Sequence, residues 1–102
     1  MVYEAIIDPD RDPTRPWLLL RDGEQRPAVI DAVEPNLVVW SSLWLWRPDA
    51  RIRFDLTGGR SGTILHWTLI VDDPVPDDET TVRMRKRINE LINANLRFTF
   101  GQ

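Results

Sequence analysis

His66 is the single histidine of this 102-residue chain and cysteine is absent, so disulfides, thiolate zinc sites, a cysteine nucleophile and a histidine-based metal cluster are excluded together. A Ser-His-Asp arrangement would have to recruit Ser41, Ser42 or Ser61 with a distant carboxylate, and no nucleophile-elbow motif is present. His66 itself has two readings, a side chain hydrogen-bonded on a sheet or a polar group presented to a ligand. The acidic pairs Asp72-Asp73 and Asp77-Asp78 flank prolines, which suits turn and helix-start residues better than metal ligands. GGRSG (58–62) lacks the Lys-Ser/Thr ending of a phosphate loop and reads as a hairpin turn. No metal, no cofactor and no catalytic constellation is expected from these residues.

The basic run RMRKR (83–87) reads as a solvated helix face whose alkyl stems cover apolar surface. A net charge of −3 argues against a general hold on phosphate backbones, so nucleic acid is not an expected partner. The chain has no apolar run near the roughly 20 residues of a membrane span, and its start, MVYEAIIDPD, lacks a signal peptide's basic and apolar regions. With no cysteine to oxidise, the expected compartment is the cytoplasm.

The densest chemistry is aromatic. VVWSSLWLW (38–46) holds three of the five tryptophans, Trp40, Trp44 and Trp46, at even positions. A strand that stays regular through Leu45 would place them on one face. They would either fill a core or line a cavity for an apolar ligand, and a strand that stops earlier would leave Trp46 exposed at a rim.

The elements that position these residues follow from pattern. VYEAII (2–7) is short and leans towards helix, and DPDRDPTRP (8–16) permits no helix across it. RDGEQRP (21–27) carries Asp-Gly turn chemistry and reads as a connection. AVIDAV, Glu34-Pro35-Asn36 and LVVWSSLW form a hairpin, and ARIRFDL alternates with Ile52, Phe54 and Leu56 on one face and Arg51, Arg53 and Asp55 on the other. TILHWTLIV adds Leu65, Trp67, Leu69 and Val71 on one side, with Ile64, His66, Thr68 and Ile70 on the other. Residues 80–98 place Met84, Ile88, Leu91, Ile92 and Leu96 along one helical stripe, with Arg83, Lys86, Arg87, Glu90 and Asn93 opposite. Asp77, Asp78 and Glu79 suit the start of that helix. Asn95 falls near the stripe, where a buried amide needs a partner, in a ligand or a neighbouring chain. A chain of this length is expected to be one domain, residues 1–102, of α+β class, with an antiparallel sheet of about four to five strands and a long C-terminal helix.

This order of elements, VYEAIIDP with a nearby Trp, RPAVIDAVEPNLVVWSSLW, RIRFDL and GTILHWTL before a terminal helix, resembles the START-like helix-grip superfamily, also called SRPBCC. The superfamily includes birch-pollen-allergen-like, polyketide cyclase/dehydrase-type and lipid-transfer proteins. The resemblance covers about residues 2–100, but the family's usual first strand has no counterpart here. It implies a sheet gripping the terminal helix, with a hydrophobic or aromatic small molecule held between them. The implied lining is Trp40, Trp44, Phe54 and Trp67 from the sheet and Ile88 and Ile92 from the helix, with Ser42, His66 and Asn95 as polar contacts. Cyclase or dehydratase activity enters by resemblance alone. The alternative is an interaction module whose aromatic surface is buried by self-association. Homodimerisation is expected at an uncovered strand edge, the N-terminal segment and Trp46.

Overall fold

The computed structural model describes residues 2–9, 14, 16–59 and 62–96. The protein is α+β, with a four-stranded antiparallel sheet and a C-terminal helix of about 19 residues. Its contacts gather into two compact units, one of Leu20–Asp72 and one of Met1–Leu19 with Asp73–Gln102.

The first unit is the sheet, in the order β1 (Val29–Val33), β2 (Leu37–Trp40), β3 (Arg51–Gly59) and β4 (Gly62–Ile70). It is a meander, because each strand pairs with its neighbour in sequence. Glu34, Pro35 and Asn36 turn β1 into β2, and the Asn36 N–H donates to the Val33 carbonyl at 2.7 Å. The Glu34–Pro35 peptide bond is cis. The alternation in β3 appears as burial: Ile52, Phe54 and Leu56 are buried while Arg53 is exposed. Register then builds an apolar row across the strands, since Trp40 stands opposite Ile52, Val38 opposite Phe54, and Phe54 opposite Trp67.

The second strand is shorter than its composition predicts. It ends at Trp40, not at Leu45, and residues 41–46 leave the regular ladder. Three backbone bonds nevertheless continue the hairpin irregularly: Ser41 N–H to the Ala28 carbonyl (2.7 Å), Gln25 N–H to Leu43 (2.8 Å) and Leu45 N–H to Gly23 (3.0 Å). RDGEQRP is therefore the outer limb of a ribbon as well as a connection. Gly23 sits at its tip with φ +80°, a conformation that a β-carbon disfavours.

The second unit contains α1 (Val2–Ile7) and α2 (Asp78–Asn89), which continues without a break as a π-helical segment, Glu90–Leu96. The expected bias of VYEAII towards helix matches α1. Residues 97 and 98 of the expected terminal helix lie outside the described residues. Met84, Ile88, Leu91, Ile92 and Leu96 are all buried, as their spacing requires. Arg87 departs from its expected wet face. It is buried, with its guanidinium 2.7 Å from the Glu90 carboxylate and donating to the Leu19 carbonyl at 2.6 Å. Those two acceptors satisfy a charge that burial would otherwise penalise.

Asp77 caps α2: its carboxylate accepts the Thr80 N–H at 2.8 Å, filling one of the helix's orphan donors. The contacts with Thr80, helped by Arg83, hold its carboxyl below the ordinary value of 3.8. A carboxyl depressed by folding contributes stability above its unfolded value, and that contribution is lost as pH falls through the folded value. Asp77→Asn keeps a capping acceptor without the titration. The stability difference between wild type and this variant should therefore shrink as urea denaturation is repeated from neutral pH to below 3.8. A difference independent of pH would show that the cap does not titrate.

Candidate functional site

In the sheet unit Trp40, Phe54 and Trp67 lie on one face of the regular strands. Trp40 and Phe54 meet edge to face, with ring centroids 4.7 Å apart and planes at 71°. They are 1% and 0% exposed, so they form the floor of this face and leave no surface for a ligand to touch. Trp67 stands across from Phe54 on β4 and is only half-buried, as are Leu65 and Leu69 on the same row. The accessible part of the aromatic face is this β4 row.

His66 does not join it. Successive strand residues point to opposite faces, so His66 lies on the wet side, exposed and opposite Asp55 of β3. There Arg53 and Asp55 form an ion pair at 3.0 Å. Trp67 and His66, both expected to line one site, therefore serve two different faces.

The early end of β2 separates the tryptophans. Trp44 is buried and bridges to Glu24, whereas Trp46 is 54% exposed. Their rings remain neighbours, with centroids 6.1 Å apart at 45°. Trp46 thus takes the rim position expected for a strand that stops early, and the regular strand through Leu45 on which a shared face of Trp40, Trp44 and Trp46 depended does not occur. Ser42 is the cause. Its buried hydroxyl accepts the Trp44 N–H at 3.0 Å and lies 2.7 Å from the Arg47 carbonyl, to which it donates. Such a local bond offers the backbone an alternative to the ladder. The same contacts occupy the hydroxyl that was expected to face ligand. Ser41 is likewise engaged, its Oγ accepting the Ala28 N–H at 2.7 Å. Ser61 lies outside the described residues.

The helical candidates belong to the other unit. Ile88 and Ile92 are buried in the apolar stripe. The Asn95 amide donates to the Trp17 carbonyl at 3.3 Å. Its partner is thus the chain's own backbone, 78 residues away in sequence.

The remaining polar clusters are structural in geometry. Asp49 accepts the Asp72 N–H at 2.8 Å and pairs with Arg47 at 2.9 Å. These contacts, the backbone bond from Asp72 first, hold its carboxyl below the ordinary carboxylate value. Arg51 pairs with Asp72 at 3.0 Å, so the network ties the start of β3 to the segment that follows β4. No group of three or more histidines or acids suited to a metal ion occurs among the described residues. No helix among them is long and apolar enough to cross a membrane. In the basic run, Arg83, Arg85 and Lys86 are exposed while Arg87 turns inward.

No family model, no curated protein and no solved structure matches the chain.

The Ser42 contacts generate a test. Ser42→Ala leaves the buried Trp44 N–H without this acceptor, while the Arg47 carbonyl keeps the Ala50 N–H at 3.1 Å, so it should destabilise by about 1–3 kcal/mol in urea denaturation. A loss under about 0.5 kcal/mol would mean that the hydroxyl does not hold this turn.

Proposed function

We propose that the protein binds a hydrophobic or aromatic small molecule on the aromatic face of its sheet, without catalysis. The observation that supports this most directly is the grading of that face. Trp40 and Phe54 are sealed, while Leu65, Trp67 and Leu69 continue the same row half-exposed. Ligand sites are mostly apolar and aromatic with a few polar groups placed near them, and an indole offers large contact area at low conformational cost. The resemblance to the helix-grip superfamily points the same way, towards lipid-like or polyketide-like ligands. In this reading Trp67 touches the ligand while Trp40 and Phe54 hold the surface rigid. His66 and Ser42 take no part.

A second reading, self-association, draws on other observations. Val29, Ile30 and Val33 on β1 and Leu45 and Trp46 beyond β2 are exposed. Exposed apolar patches of this kind mark interfaces.

Titration with a hydrophobic fluorescent probe, followed by competition with unlabelled sterols, fatty acids and aromatic polyketides, tests the first reading. Saturable displacement in the micromolar range, about −8 kcal/mol, is expected, with affinity reduced in Trp67→Leu. Absence of saturable competition across the panel would reject the binding reading. Unchanged affinity in Trp67→Leu would move the site elsewhere.

A further inference from the structure

The two edges of the sheet are finished differently. β1 is five residues long and interrupted, because the register shifts between Val29 and Asp31 and leaves Ile30 as an extra residue. The Asp31 carboxylate also accepts the Ala32 N–H at 2.9 Å, occupying a backbone donor of that strand. Shortness, a bulge and an inserted charge are the means by which sheets resist pairing with another chain.

β4 has none of these. It runs nine residues in unbroken register with β3, from Gly62 to Ile70. It contains no proline, lysine, arginine or acid. Among the described residues its only strand partner is β3. None of its side chains from Ile64 to Ile70 is buried, although the β3 residues opposite Leu65, Trp67 and Leu69 all are.

We propose that β4 is the seam of a homodimer, in which two copies pair β4 with β4, antiparallel, about a two-fold axis at His66. This shares with the self-association reading only its occupant, a second copy; the interface lies at the opposite edge of the sheet from β1 and does not draw on the exposed residues of β1 or on Trp46. A second copy fits for three reasons. His66 is the midpoint of Gly62–Ile70, so this register alone overlaps the whole strand. It sets Leu65 opposite the partner's Trp67, and Ile64 opposite the partner's Thr68. The strand carries no acid, lysine or arginine, so copy against copy sets no carboxylate, ammonium or guanidinium against its like, and the one titratable pair is His66 with the partner's His66 on the axis. A two-fold axis normal to the sheet also preserves its faces. The half-exposed rows of the two copies then run side by side, each covering the other's edge.

The register dictates the test. Ile64 and Thr68 are both exposed, so charges there disturb no buried packing, and Arg53 opposite Thr68 accommodates an acid. Ile64→Glu/Thr68→Glu places acid opposite acid twice across the axis. Ile64→Lys/Thr68→Glu places opposite charges at the same points. Light scattering from about 1 to about 100 μM, the range suited to a small interface, should show wild-type mass rising to twice 11.9 kDa. The Glu/Glu variant should weaken the dimer at least about tenfold and the Lys/Glu variant should recover it, with far-UV circular dichroism unchanged in both. A wild-type mass constant at 11.9 kDa would overturn the seam and the self-association reading together. A dimer indifferent to the Glu/Glu change would overturn the seam alone.

Discussion

The edge-to-face contact of Trp40 with Phe54, at 4.7 Å, is the interaction on which the sheet unit depends. It joins β2 to β3 on the buried face, beside the pairings of Val38 with Phe54 and Trp40 with Ile52. Aromatic side chains bury ~150–250 Å² each, about 4–6 kcal/mol of transfer free energy before unfolded-state corrections. A slip of one residue in β3 would turn Phe54 outward and bring Arg53 into its place. The register is therefore strongly specified, and with it the row that ends at Trp67.

Burial along that row falls from complete on β2 and β3 to partial on β4. The gradient bears on how so short a chain could hold a ligand. A dry cavity of ~300 Å³ would cost about 7 kcal/mol, as much as the whole stability of a small domain. A half-exposed row avoids this penalty, because water covers it until a ligand or a second chain arrives. The two proposals, small-molecule binding and edge pairing, would draw on one physical feature, an apolar row that is buried on β2 and β3 and half-exposed on β4.

Much of the architecture was legible because it is periodic. Ile52, Phe54 and Leu56 alternate with charged residues, and Met84, Ile88, Leu91, Ile92 and Leu96 recur at helical spacing. The start of the terminal helix followed from Asp77, Asp78 and Glu79 beside a proline, whereas the capping bond of Asp77 to the Thr80 N–H came from the structure. What escaped pattern was decided by single hydrogen bonds. VVWSSLWLW keeps strand parity on paper, yet the regular strand ends at Trp40 and the Trp44 N–H goes to the Ser42 hydroxyl instead of to a ladder partner. Arg87 was placed with the wet residues by its type. Its burial depends on the Leu19 carbonyl, 68 positions away, which no local window contains. The site list fared similarly: strand parity already separates His66 from Trp67, whereas the partner of Asn95 required tertiary structure.

Trp40 and Phe54 stabilise the sheet through their mutual contact and not merely as two separate apolar side chains. A double-mutant cycle of Trp40→Leu and Phe54→Leu, followed by urea denaturation, measures this directly. Edge-to-face packing predicts a coupling of about 0.5–1.5 kcal/mol beyond the sum of the single losses. Additivity within about 0.3 kcal/mol would contradict it.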